Sequence, residues 1–173
     1  MLKQPDVLMF MMLYGSEFSH EQLAANFDFY EPRCIHESSL SPSIHSILAC
    51  RLGRVDKAES YFGFATRMDL DNYNRNTGEG VHTTSIAGAW MNIVYGFGGL
   101  RSDGERLSLA PCIPHGWERY RFCLETGGAV LRVTVAQDSV TLACDGDSVL
   151  TLELYGEPVT VTGHETKYAL RRE

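Results

Sequence analysis

Apolar positions recur at helical spacing along the first hundred residues. The clearest repeat, every three or four residues, consists of Val55, Ala58, Phe62 and Ala65. It predicts an amphipathic helix with one buried face. The stretches that begin with PDVLMFMM at residue 5 and with TTSIAGAWM at residue 83 are apolar on nearly every side. We expect both to form helices that other parts of a larger protein cover.

Polar and turn-forming residues mark the ends of two further helices. Ser19 is followed three residues later by Gln22, a capping-box pattern that predicts a helix start. Ser41 as N-cap, Pro42 at the first helical position and Gly53 after the last turn predict another helix.

From about residue 104 the apolar period becomes two. Short alternating runs such as RYRFCLE and AVLRVTVAQD are separated by glycine, aspartate and proline, as in a β-sandwich or barrel. We therefore predict an α+β chain with two domains. Residues 1–104 would be helical, and residues 105–173 would form a small antiparallel β-sandwich-like domain.

Composition narrows the class of protein. The 173 residues are 44% apolar and 21% charged, which is typical of a soluble globular chain. The net charge of −7, without a basic cluster, argues against nucleic-acid and membrane partners. No apolar run is long enough to span a bilayer. Five cysteines without a C-x-x-C pair favour reduced thiols and a cytoplasmic location.

Hydroxyl side chains gather at two predicted helix starts, each beside a histidine. Ser38 and Ser39 follow His36, and a Thr-Thr-Ser run follows His82. A helix start offers unpaired N–H groups and a partial positive charge, so it suits an anion such as phosphate. Each stretch could equally contain only a hydroxyl N-cap.

Other kinds of site have weaker support. His36, Glu37, His45 and His82 lack HExxH and tight ligand spacing, so we expect no metal site. The helical position of His45 indicates a surface or packing role. Carboxylates are scattered, and none is marked as a catalytic acid, so no catalytic residue is assigned.

Four stretches, in order, resemble the C-terminal part of glycoside hydrolase family 65, the family of maltose, trehalose, kojibiose and nigerose phosphorylases. They are LKQPDVLMF, FDFYEPRCIHESSLSPSIHSILA, YFGFATRMDLDNYNRNTGEGVHTTSIAGAWMNIVYGFGGLR and LSLAPCIPHGWERYRF. The resemblance implies the C-terminal part of an (α/α)6 barrel followed by a small β domain. It also implies inverting cleavage of an α-linked disaccharide by inorganic phosphate, with no other cofactor and one glutamate as general acid.

The resemblance also implies roles for individual residues. The phosphate-binding residues would be His36, Ser38, Ser39, His82, Thr84 and Ser85. Lys3 and Gln4 would contact the glucosyl unit. The family's general-acid glutamate lies upstream of that pair, so we expect a C-terminal fragment that is inactive alone. It would associate with the remaining barrel half or with another copy.

Two other functions remain open at the sequence level. A hydrolase of the same family would use water in place of phosphate. A non-catalytic carbohydrate-binding or assembly module would present its β domain to sugar, with Trp117 as the candidate platform.

Overall fold

The structure is a computed structural model that describes residues 1–36, 38–102, 104 and 106–171. It forms two compact units, Met1–Gly96 and Phe97–Glu173. The helices of the first unit are α1 (Asp6–Leu13), α2 (His20–Tyr30), α3 (Ser41–Arg51), α4 (Val55–Arg67) and α5 (Thr83–Met91). A π-helical stretch, Asn92–Phe97, continues α5.

The division between the units lies before the predicted one at residue 104 because Phe97 belongs to the second core. The Phe97 ring is fully buried and lies 4.9 Å from the Trp117 ring, centroid to centroid. The Tyr120 hydroxyl donates a hydrogen bond of 2.6 Å to the Phe97 carbonyl. The spacing of apolar residues could not predict this position of the division, because Phe97 continues the helical pattern of the residues before it.

Helix α1 is only partly buried within this chain. Leu8 and Met11 are buried, but Phe10, Leu13 and Tyr14 are 52%, 66% and 54% exposed. The prediction was that other parts of a larger protein cover this helix, and the apolar residues left exposed here agree with it. One face of α1 packs on the other helices and the opposite face remains exposed.

The predicted capping box at the start of α2 is confirmed, whereas the predicted N-cap of α3 is wrong. The Ser19 hydroxyl accepts from the Gln22 N–H at 3.2 Å, and Gln22 Oε1 accepts from the Ser19 N–H at 2.9 Å. Ser41, in contrast, is the first residue of α3, and no side chain caps that helix in the Ncap position. Ser38 hydroxyl accepts from the Leu40 N–H at 3.3 Å instead.

Helices α3 and α5 run in the same direction and approach closely. A β-carbon placed on Gly88 would lie 2.1 Å from Ser43 Oγ. A β-carbon on Gly96, further along the chain, would lie 3.5 Å from both Ile47 Cα and Cys50 Sγ. Later residues of one element thus face later residues of the other, so the starts of α3 and α5 lie at the same end.

The second unit contains two four-stranded sheets. Its strands are β1 (Arg101–Ser102), β2 (Leu107–Leu109), β3 (Arg119–Thr126), β4 (Ala129–Ala136), β5 (Ser139–Ala143), β6 (Leu150–Leu154), β7 (Glu157–Val161) and β8 (Thr166–Ala169). The strand orders are β1-β2-β6-β7 and β3-β4-β5-β8. The predicted antiparallel arrangement holds for the other neighbours, but β2 pairs with β6 in parallel. That pairing joins strands distant in sequence, which local patterns do not reveal.

Strands β3 and β4 form the hairpin that the alternating pattern predicts. Gly127 and Gly128 both have positive φ, 57° and 76°, and connect the paired residues Thr126 and Ala129. Two-residue hairpin turns of type I′ require this conformation, which glycine adopts without strain. Alternate residues of β4 are buried at Ala129, Leu131, Val133 and Val135.

Among the described residues, none of the helices has the length and apolar content needed to cross a membrane.

Candidate anion and sugar site

The amino-terminal residues are tied to the segment that precedes α3. Leu2 pairs with Cys34 in an isolated parallel bridge. The Leu2 N–H donates to the Arg33 carbonyl at 2.8 Å, and the Ile35 N–H donates to the Leu2 carbonyl at 3.0 Å. This bridge brings the candidate sugar-binding residues to the candidate phosphate-binding segment.

A direct contact joins these two predicted groups. The Ser38 hydroxyl donates a hydrogen bond of 3.1 Å to Gln4 Oε1. Ser38 is 9% exposed, whereas Ser39 is half-buried and Lys3 is exposed. Because Ser38 also accepts from Leu40, its hydroxyl orders the segment as well as facing Gln4. Ser39 therefore offers the more available hydroxyl to an anion.

His36 lies at the centre of a half-buried polar network. It has a left-handed backbone, with φ 53°. Its Nε2 lies 3.2 Å from the Tyr61 hydroxyl, which donates to Glu31, and its Nδ1 lies 3.4 Å from Ser41 Oγ. Lys57 Nζ lies 3.1 Å from the Glu31 carboxylate. The network holds the imidazole ring in one orientation.

Burial and hydrogen bonding together set the protonation of this network. It lowers the pKa of His36, and the nearby negative charge of Glu31 offsets that shift only in part. Burial works to raise the pKa of Glu31, but hydrogen bonds from Tyr61 and Lys57 outweigh it and keep the pKa below its ordinary value. At neutral pH, His36 is therefore a neutral imidazole with one N–H donor.

His82 is held by Asp69 from the end of α4. Asp69 Oδ1 lies 2.5 Å from His82 Nδ1, and Asp69 Oδ2 accepts from the His82 N–H at 2.9 Å. Asn76 Nδ2 lies 3.4 Å from His82 Nε2. With Nδ1–H donated to Asp69, Nε2 is the ring nitrogen that could face a ligand, in exchange for its long contact with Asn76. It can donate to an anion when the ring is an imidazolium.

Of the three hydroxyl residues after His82, Thr84 and Ser85 have different surroundings. Ser85 is 1% exposed, and its hydroxyl donates a hydrogen bond of 2.8 Å to the Ala65 carbonyl of α4. This hydrogen bond uses the only hydroxyl proton of Ser85 and connects α5 to α4. Thr84, one residue earlier, is exposed in the first turn of α5. The parallel direction of α3 and α5 places this turn at the same end as Ser38 and Ser39.

Several residues that contact the candidate site residues were not predicted from the sequence. Asp69 lies 13 residues before His82, and Glu31 and Tyr61 are 30 residues apart. Neither separation matches a local motif. A third unpredicted group consists of Cys34, His36 and His45, whose potential ligand atoms all lie within 4.8 Å of one another. His82 is outside this group, and Glu37 lies outside the described residues.

Trp117 has the surroundings of a packing residue. Its ring is half-buried, 4.9 Å from the Phe97 ring and 6.0 Å from the Tyr120 ring. Its carbonyl accepts from Gln137 Nε2 at 2.7 Å. The arrangement does not favour Trp117 as an exposed sugar platform.

Comparison with known proteins gives consistent matches along the chain. Residues 1–91 match the glycosyl hydrolase family 65 central catalytic domain, and residues 100–161 match the glycosyl hydrolase family 65 C-terminal domain. Maltose phosphorylase of Bacillus subtilis (strain 168) is 43% identical over 162 residues, 94% of this chain and 21% of that protein.

Two further relatives give the same picture. The α,α-trehalose phosphorylase of Thermoanaerobacter brockii is 39% identical over 170 residues, 98% of this chain and 21% of that protein. A solved structure of a candidate kojibiose phosphorylase from the human microbiome is 50% identical, with a TM-score of 0.91. It matches over 96% of this chain and 22% of that one. The chain thus spans about a fifth of the length of the relatives it matches.

Proposed function

Because the chain belongs to glycoside hydrolase family 65, we propose that it supplies the phosphate side and part of the glucose side of an inverting α-glucoside phosphorylase. The observation that carries the proposal is the Ser38–Gln4 hydrogen bond, which joins the two predicted groups. The parallel α3 and α5 support it, since their starts lie at one end. In this proposal, residues 1–96 form the last part of an (α/α)6 barrel.

Phosphate would take the place of the second carboxylate of an ordinary inverting glycosidase. It would attack the anomeric carbon while a general acid protonates the leaving oxygen on the other side of the bond. Ser39, Thr84 and the N–H groups of both helix starts offer donors for its oxygens. His82, oriented by Asp69, presents Nε2, which would donate to phosphate in the imidazolium form. Lys3 and Gln4 would bind the glucosyl hydroxyls.

Phosphorolysis by the 173-residue chain itself is not expected. No residue of the chain is assigned as general acid, and such a group typically contributes about 10²–10⁴-fold to the rate. We place the parent enzyme in the cytoplasm, in keeping with five free cysteines.

An activity assay tests this expectation. Purified chain would be incubated with phosphate and maltose, trehalose, kojibiose or nigerose. Absence of glucose 1-phosphate is expected, and efficient release would contradict this assignment. Free glucose alone would indicate the hydrolase.

Phosphate binding tests the proposed site without turnover. Inorganic phosphate would be titrated into the chain and followed by phosphorus-31 NMR line width. His82→Ala and Ser39→Ala should each weaken binding by about tenfold, the loss of one charge-assisted hydrogen bond. His20→Ala is the matched control, because His20 is exposed at the start of α2. Equal affinity in wild type, His82→Ala and Ser39→Ala would contradict the site.

A further inference from the structure

Cys34, His36 and His45 converge from three different local structures. Cys34 belongs to the bridge with Leu2, His36 follows it in a left-handed conformation, and His45 lies in the second turn of α3. One potential ligand atom from each lies within 4.8 Å of the others. His45 is 0% exposed and Cys34 is 7% exposed.

The hydrogen bonds of His45 leave one ring nitrogen available. Its Nδ1 lies 2.6 Å from the Ser41 carbonyl, which can only accept, so Nδ1 carries the proton. Nε2 then has a lone pair, and this buried atom has no hydrogen-bond partner. A histidine that donates one N–H to a backbone carbonyl has the tautomer and orientation of a metal ligand. Burial lowers the pKa of His45 to about 4, which keeps the ring neutral.

His36 also retains a lone pair, whichever tautomer it adopts. The Ser41 hydroxyl donates to the Ser38 carbonyl at 3.2 Å, and the Tyr61 hydroxyl donates to Glu31. Both neighbours of the His36 ring therefore have their protons directed elsewhere. A neutral imidazole has one proton for its two nitrogens, so one nitrogen faces no donor.

The surroundings provide space for an ion and its remaining ligand. A cavity of about 80 Å³ is lined by Gln4, by Cys34 and His45 of the group, and by neighbouring residues of α1, while His36 is not part of its lining. Zn²⁺ binds imidazole nitrogen at about 2.0–2.1 Å and thiolate at about 2.3 Å, so adjacent ligand atoms lie about 3.3–3.8 Å apart. The potential ligand atoms lie within 4.8 Å of one another, so each pair would need to approach by at most about 1.5 Å.

From these contacts we propose that Cys34, His36 and His45 form a Zn²⁺ site, with water from the cavity as the fourth ligand. On binding, the Cys34 thiol releases its proton to the buffer and coordinates as thiolate. Sulfur and imidazole ligands select a borderline-soft ion such as Zn²⁺ over Mg²⁺ or Ca²⁺, which prefer oxygen. The site does not depend on the proposed phosphorolysis, since it needs no substrate.

Metal affinity of the purified chain tests the proposal. Zn²⁺ would be titrated against a chromophoric chelator of known affinity, with Cys34→Ser and His45→Gln as site variants. One ion per wild-type chain is expected, with affinity lowered at least tenfold in each variant. Cys144→Ser and His20→Gln are matched controls, a buried cysteine of the other unit and an exposed histidine, and should bind as wild type. Wild-type affinity in Cys34→Ser would overturn the site.

A second measurement needs no substitution and so cannot fail through misfolding. X-ray absorption of the zinc-loaded wild-type chain should show one sulfur at about 2.3 Å with nitrogen and oxygen at about 2.0–2.1 Å. Absence of sulfur, or two or more sulfur ligands, would refute the proposed ligand set.

Discussion

At the scale of single residues, Gly88 sets the distance between α3 and α5. Any β-carbon there would meet both Ser43 Oγ at 2.1 Å and Ser43 Cβ at 2.7 Å, well inside van der Waals contact. Rotation of the Ser43 hydroxyl would relieve only the first of these contacts. The helices would therefore have to move apart, and their starts with them.

Gly88→Ala should destabilise the chain by about 1–2 kcal/mol, because the cost of overpacking exceeds alanine's gain in helix propensity. Urea unfolding would measure the change. Gly63→Ala is the matched control within α4, where an added β-carbon meets nothing within 4 Å. It should gain about 0.5–1 kcal/mol. Equal effects of the two substitutions would show that the contact with Ser43 does not limit the approach.

Asp69 gives a prediction for the dependence of stability on pH. The hydrogen bond from the His82 side chain, assisted by the His82 N–H, holds the pKa of Asp69 below its ordinary value. Its contribution to stability is then complete above about pH 4 and is lost as the pH falls through the lowered pKa. Urea midpoints of wild type and Asp69→Asn should differ at neutral pH and converge as the pH falls through the lowered pKa of Asp69. A difference independent of pH would contradict this assignment.

The candidate site was predictable from sequence only in part at this scale. Hydroxyls next to His36 and His82 indicated two anion-binding helix starts, because helix signals and hydroxyls lie close together in the chain. The roles of Ser38 and Ser85 in ordering their neighbours depend on Gln4 and Ala65, which lie far away in sequence. No local pattern contains that information.

At the scale of elements, α2 depends on its capping box. Ser19 and Gln22 satisfy each other's backbone N–H groups, which lack partners within the helix. Local sequence was sufficient to predict this start, because all participating atoms lie within four residues. The start of α3 was misplaced because the interaction of Ser38 with Leu40 replaces the expected cap.

Ser19→Ala should destabilise the chain by about 1 kcal/mol, the usual cost of losing an N-cap. The urea midpoint would report it. Ser60→Ala is the control, since the Ser60 hydroxyl also bonds to backbone, the Asp56 carbonyl, but within an exposed helix interior. That change should be neutral or slightly stabilising. A similar loss in both variants would argue against a specific role for the cap.

At the scale of the whole molecule, we expect the exposed face of α1 to be the surface through which the chain associates. Phe10, Leu13 and Tyr14 present adjacent apolar side chains that are more than half exposed. Apolar composition predicted that α1 needs neighbours, but it could not show which of its faces this chain covers. The two-unit organisation followed from the change of period, whereas the parallel pairing of β2 with β6 required three-dimensional information.

The double variant Phe10→Glu/Leu13→Glu should reduce self-association, because two charges replace apolar surface. Sedimentation velocity over a range of concentrations would measure the shift towards monomer. Leu70→Glu/Val149→Glu adds the same charge at other exposed positions, 78% and 63% exposed, and should leave association unchanged. Loss of association in both variants would point to net charge rather than to α1.

The bridge between Leu2 and Cys34 makes the amino terminus a reporter of the assembled segment. Amides so near a chain end normally exchange with solvent within moments. Here the Leu2 N–H is held by the Arg33 carbonyl, so its deuterium uptake should follow the opening of the paired segment Arg33–Ile35. An affinity tag fused directly ahead of Met1 would emerge beside that stretch.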